Sequence, residues 1–192
     1  RVIQRPEQLA EAAEQLSFPI VLKPNVGGSG AGIVKFDDQH ELQRALESGE
    51  LDLGIDHTGL AQEYLTPRGG CIVRVEILNG TFLYAIRLSV SERSFNYCPA
   101  DGCNVGNPAL AVEACTPPDS VVHAARRILA ASRSDLGSVE YLVNEADGQV
   151  YYYDINPLSN FVANAARVVG FDPTEKLVDL LLQRAAIREP SG

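Results

Sequence analysis

A glycine-rich run, Asn25-Val-Gly-Gly-Ser-Gly-Ala-Gly32, sits between two short β-prone stretches, Pro19-Ile-Val-Leu-Lys-Pro24 and Ile33-Val-Lys-Phe36. This order restricts the fold more than any other stretch of the sequence. Glycines leading into a helix would suit a Walker A or dinucleotide-binding turn. Here no Gly-Lys-Ser/Thr closes the run, and a strand follows it. Strand, glycine loop and strand instead describe a flap whose backbone N–H groups can approach phosphate oxygens unobstructed by side chains. Lys23, just before the run, adds a point charge. A bare glycine-rich hairpin is the simpler alternative, and the run alone does not separate the two.

A phosphate site would have to work against a formal net charge of -9, so local donors and a metal must hold the anion. That balance argues against nucleic acid or an acidic membrane as a partner held by bulk electrostatics. Hydrophobic residues make up 45% and charged residues 21% of the 192 residues, ordinary usage for a globular chain with a buried core. No apolar stretch is long enough to span a bilayer and no signal-peptide pattern opens the sequence, so a cytoplasmic location is expected. Cys71, Cys98, Cys103 and Cys115 form no C-x-x-C pair and read as reduced thiols. A zinc site from the last three with His123 matches no standard spacing.

Along the chain, Pro6–Leu16 reads as a helix with Leu9, Ala12, Ala13 and Leu16 on one face. Asp38 and Glu41 form a capping-box-like start for a helix to about Leu46. Leu60–Leu65 reads as a strand, and Thr66-Pro-Arg-Gly-Gly70 as a turn and lobe boundary, dividing the chain into 1–66 and 67–192. Ile72–Leu78 and Phe82–Leu88 form a hairpin around Asn79-Gly80. Residues 89–118 read as a long loop. A helix starts at Asp119-Ser120 with Val122, Ala125, Ile128 and Leu129 on one side. Val139–Val143 and Val150–Ile155 are strands joined through Asp147-Gly148. Phe161–Val169 reads as a helix, and a last helix starts at Asp172-Pro173 with Leu177, Leu180 and Leu181 facing inward. Hairpins with helices laid against them give an α+β class in two lobes.

Strand alternation puts Asp154 and Asn156 on one face, and the hairpin brings Glu140 close to opposite Asp154. Two carboxylates and a carboxamide oxygen suit magnesium. Solvated acids on a strand face are the alternative. Asp is disfavoured in strands, and Tyr152-Tyr153-Asp154-Ile155-Asn156 sets it in an apolar run, which favours the metal.

Phe18-Pro-Ile-Val-Leu-Lys-Pro-Asn-Val-Gly-Gly-Ser-Gly-Ala-Gly32, Gln62-Glu-Tyr-Leu65, Glu140 and Asp154-Ile-Asn156, in this order, resemble the ATP-grasp superfamily. Arg74-Val-Glu-Ile-Leu-Asn-Gly80 and Asp154-Ile-Asn-Pro-Leu-Ser-Asn-Phe161 are most similar to ligases related to the ribosomal-protein glutamate ligase and glutathione synthetase. The resemblance implies ATP held between two α+β lobes, a small one at 1–66 carrying the flap and a large one at 67–192 carrying the metal. Lys23 would contact the phosphates, with Gly28, Ser29 and Gly30 covering them. Glu63, Tyr64 and Leu65 would hold the adenine edge. Glu140, Asp154 and Asn156 would bind magnesium, with manganese as its substitute. Arg74, Arg87 and Arg93 are the candidates for binding the acid and steadying an acyl phosphate.

The implied activity joins a small-molecule or peptide carboxylate to an amine, such as an amino acid. A kinase or phosphotransferase with the same nucleotide site, and a non-catalytic nucleotide-binding module, are the alternatives. The family usually has Glu at the place of Asp154, and an acid for the ribose where Gly70 and Cys71 stand here. The chain opens on Arg1, and the resemblance implies a fragment without its amino-terminal α/β domain; a homodimer is a further expectation.

Overall fold

The computed structural model describes residues 1–27, 30–89 and 111–188. They fall into two compact units that divide between Thr66 and Pro67.

The first unit carries a four-stranded sheet in the order β1-β4-β2-β3, from β1 (Val2–Ile3), β4 (Gly59–Glu63), β2 (Ile20–Pro24) and β3 (Val34–Phe36), with every pair antiparallel. Alternation along β2 decides which side is dry: Ile20 and Leu22 are fully buried, while Val21 and Lys23 are half-buried. Helices α1 (Gln8–Ala13) and α2 (Gln39–Ser48) supply Leu9, Ala12, Ala13 and Leu42 to the same core as Ile20, Leu22 and Phe36. Helix α2 starts where its sequence directs. Asp38 Oδ1 accepts the His40 and Glu41 amides, both at 2.9 Å, and Glu41 Oε2 accepts the Asp37 amide at 2.8 Å. It ends on Gly49 at φ 69°, the left-handed position that glycine fills without strain.

The second unit carries a five-stranded antiparallel sheet in the order β7-β6-β5-β8-β9. Its strands are β5 (Cys71–Leu78), β6 (Thr81–Ser89), β7 (Val112–Ala114), β8 (Leu136–Val143) and β9 (Val150–Asn156). Asn79 and Gly80 turn β5 into β6 with φ of 48° and 71°, as a two-residue Asn-Gly hairpin requires. One sheet face packs Val73, Val75, Ile77, Ala85, Val139 and Tyr141 against Val121, Ala125 and Leu129 of α3 (Asp119–Ala131). After β9 come α4 (Ala165–Val169) and α5 (Pro173–Arg188).

Several expectations need correction. β1 is paired through two residues, too few for a periodic signal. β7 lies inside the stretch read as a long loop, where it pairs with residues 86–88 of β6. The first helix is shorter than 6–16, and α4 covers 165–169 rather than 161–169. Val121, not Val122, is the buried valine of α3. Leu181 is 56% exposed instead of facing inward. Cys98 and Cys103 lie outside the described residues, whereas Cys71 and Cys115 are free thiols. Among the described residues no helix is long and apolar enough to cross a membrane.

Candidate functional site

In the first unit, Lys23 emerges from β2 on the face opposite the core, paired with Leu60 of β4. Gly30 and Gly32 take φ of 73° and 75°, and a Cβ on Gly32 would lie 2.8 Å from Pro24 Cγ. The chain can fold back over the end of β2 only with glycine there. Gly28 and Ser29 lie outside the described residues. Glu63 ends β4, and its Oε1 accepts the Ser17 amide at 2.8 Å. The Tyr64 amide donates to Pro19 O at 2.8 Å, and Lys35 Nζ stands 4.8 Å from the Tyr64 ring centroid. Leu65 follows, half-buried. Lys23, Lys35 and Tyr64 all take part in further interactions.

In the second unit the register builds one polar sheet face. Arg74 pairs with Glu140, Glu140 with Asp154, Glu76 with Ser138, and Ser138 with Asn156. Partners in an antiparallel ladder share a face. Three strands thus bring Arg74, Glu76, Ser138, Glu140, Asp154 and Asn156 to one side, away from α3.

A β-bulge arranges this. Up to Tyr141↔Tyr152 the β8–β9 ladder is regular, and it then shifts so that Glu140 meets Asp154 with Tyr153 as the extra residue. The Tyr153 hydroxyl turns to the same side and donates to Glu140 Oε2 at 2.9 Å. Asn156 Nδ2 lies 3.4 Å from Asp154 Oδ2, so the carboxamide and the carboxylate are neighbours on β9.

Arg74 is buried on this face, 4% exposed. Its Nε donates to Glu76 Oε1 at 2.8 Å and its Nη2 to Ser159 Oγ at 3.1 Å and Asn160 O at 3.4 Å. Its Nη1 lies 3.7 Å from Glu140 Oε1. Burial acts to lower the Arg74 pKa, but Glu76 and Glu140 outweigh it and hold the guanidinium above its ordinary value. Burial pushes the Glu76 carboxyl up, with Arg74 and the Ser159 hydroxyl acting against it. Tyr84, opposite Glu76 on β6, accepts the Val162 amide at 3.1 Å; burial and the Glu76 charge raise its pKa.

Arg87 is not brought to this cluster. It pairs with Val73, on the α3 face, where its charge opposes the burial that raises the Cys115 thiol and the Tyr141 hydroxyl, the latter pushed up to about 12. Arg93 lies outside the described residues. Among the described residues no three His, Cys, Asp or Glu side chains gather as a metal-binding group. The set Glu140, Asp154 and Asn156 is of another kind, two carboxylates and an amide. Its hard oxygens, side by side on adjacent strands, fit magnesium in donor chemistry.

A sequence profile of the RimK-like ATP-grasp domain matches residues 1–115. The chain belongs to this family. The RimK-like chain is 28% identical over 206 residues to D-alanine–D-alanine ligase A of Bradyrhizobium diazoefficiens, covering 98% of this chain and 53% of that protein. It is 26% identical to a D-alanine–D-alanine ligase of Acetivibrio thermocellus, over 89% of this chain and 47% of that one. Among solved structures, the ATP-grasp ligase PsnB with a phosphomimetic variant of its minimal precursor, Mg and ADP is 20% identical, with a TM-score of 0.67 over 95% of this chain and 51% of that one. These matches give the RimK-like chain an α+β ATP-grasp fold, and it spans about half the length of the relatives it matches.

Proposed function

We propose that this chain is the nucleotide- and metal-binding part of an ATP-dependent carboxylate–amine ligase. The observation that carries the reading is the ladder that sets Glu140 directly across from Asp154 with Asn156 on the same face. Membership of the RimK-like ATP-grasp family supports ATP as the nucleotide. The D-alanine–D-alanine ligases it resembles, and a fold shared with a ligase solved with Mg and ADP, support the reaction class and the metal.

In this reading Lys23 places its ammonium on the phosphates, and Gly28, Ser29 and Gly30 cover them through backbone N–H groups. Glu63, Tyr64 and Leu65 hold the adenine edge; because the Glu63 carboxylate is engaged with Ser17, its share falls to backbone atoms. Glu140, Asp154 and Asn156 would hold magnesium, whose charge would offset that of the phosphates. The acid substrate's carboxylate oxygen attacks the γ-phosphorus and ADP leaves, giving an acyl phosphate. The amine then adds to the acyl carbon, and phosphate departs as the nitrogen loses its proton. The chain's contribution is positioning and charge neutralisation. Arg93 remains a candidate for the acid. Arg87 is a weaker one, since it lies on the α3 side of the sheet.

Calorimetric titration with a non-hydrolysable ATP analogue tests the reading. Asp154→Ala should abolish the magnesium-dependent gain in affinity, and Lys23→Ala should weaken binding with or without metal. An unchanged magnesium response in Asp154→Ala would overturn the metal assignment. With candidate acids and amines supplied, an amide product separates a ligase from a kinase, which would leave a phosphoester.

A further inference from the structure

The sheet face that carries the metal candidates also buries a carboxylate for which the reaction has no use. Glu76 is 1% exposed, and its Oε2 has no hydrogen-bond partner among the described residues. Its ladder neighbour Ser138, fully buried, likewise has an unpartnered Oγ. Burying an incompletely satisfied carboxylate is costly unless a neighbouring cation offsets its charge. The neighbour is Arg74, whose Nε it holds at 2.8 Å.

Arg74 in turn has its donors turned inward. Nε goes to Glu76, Nη2 to the Ser159–Asn160 segment that follows β9, and Nη1 faces Glu140 Oε1. A guanidinium 4% exposed and engaged on three sides is poorly placed to receive a substrate acid. It is well placed to orient Glu140. That carboxylate is held from two directions, by Arg74 beside Oε1 and by the Tyr153 hydroxyl on Oε2.

We propose that Glu76 is a positioning residue which, by locking Arg74 against Glu140, fixes the orientation in which Glu140 meets the metal. Arg74 is therefore a strut rather than a substrate-binding residue. The inference rests on the magnesium reading of Glu140, Asp154 and Asn156.

The test measures Mn2+ affinity by electron paramagnetic resonance at saturating non-hydrolysable ATP analogue, and analogue affinity in EDTA, for the parent chain, Glu76→Leu, Glu76→Gln and Asp154→Ala. The Arg74 Nε–H resonance is followed in parallel. Glu76→Leu should lower Mn2+ affinity about 10-fold or more and displace that resonance, leaving metal-free nucleotide affinity unchanged. Glu76→Gln keeps an acceptor for Nε and should fall between. A folded Glu76→Leu chain with parental Mn2+ affinity overturns the proposal, as does an equal loss of metal-free binding, which would mark a purely structural role. Should Glu76→Leu not fold, Glu76→Gln decides: a displaced Arg74 resonance with parental Mn2+ affinity overturns it. Asp154→Ala separates the two levels. If it also keeps parental Mn2+ affinity, the metal reading fails and the strut with it. If it loses affinity while the Glu76 variants do not, the strut alone fails.

Discussion

Replacing Arg74 with methionine would remove the cation that offsets the buried Glu76 carboxylate. The side chains of Arg74 and Glu76 are 5% and 1% exposed, which places the pair in the buried regime, far from the ~0.2–1 kcal/mol of surface ion pairs. In Arg74→Met the Glu76 Oε1 loses the Nε donor and Oε2 has no partner among the described residues, so the Ser159 hydroxyl is the group left to favour the charge. Glu140 is less affected, since it keeps the Tyr153 hydroxyl. Stranding one partner of such a pair costs about 3–5 kcal/mol. The sign with pH follows from Glu76, whose carboxyl burial already holds above its ordinary value of 4.5. Stability from its bound proton is complete below the unfolded-state value and is lost as pH rises through the folded one. Without Arg74 that folded value climbs further, so the deficit should be largest near pH 8 and shrink toward about pH 5. Urea unfolding at both pH values measures it. The double variant Arg74→Met/Glu76→Leu should recover to within about 1 kcal/mol of the parent. A single-variant cost under about 1 kcal/mol, or a double variant no better than the single, would refute the argument.

Three further changes probe other parts of the molecule. Tyr153→Phe deletes the hydrogen bond to Glu140 Oε2 and should cost about 1 kcal/mol in urea unfolding while weakening the magnesium-dependent part of nucleotide binding. Gly137→Ala would set a Cβ 2.6 Å from Asn156 O and 2.9 Å from Leu129 Cδ2; we expect a loss of about 1–3 kcal/mol and displaced Asn156 amide resonances. Asp38→Ala removes both cap bonds of α2 and should lower stability by about 1 kcal/mol without changing nucleotide affinity.

Local chemistry made much of the fold legible. Asp38 and Glu41 announce the start of α2, Asn79-Gly80 forces a hairpin, and the glycine run lies between strands. The pairing of Glu140 with Asp154 was also readable from the turn at 147–148, although the ladder reaches it by absorbing an extra residue that alternation cannot foresee. Elements whose existence depends on a distant partner, such as β1 and β7, carry no periodic signal over two or three residues. Arg74 and Glu76 offered a missed clue: two charges spaced by two within Ile72-Val-Arg-Val-Glu-Ile77 share one face of a central strand. Such charges are buried together or not at all. The face that Arg87 occupies was not legible, because an arginine on a strand names no face until the register is known.

The extra residue in β9 has a bearing on solubility as well. β9 closes one end of its sheet order and shows Val150, Tyr151, Tyr152 and Ile155 to solvent, each at least 38% exposed save Tyr152 at 37%. A straight outer strand of that composition would invite another chain to zip onto it and seed aggregates. The irregularity at Tyr153 breaks the outward row of amides and carbonyls midway and increases the local coiling, so an incoming strand finds no continuous template. The kink that gathers oxygens on one side thus also guards the rim of the sheet.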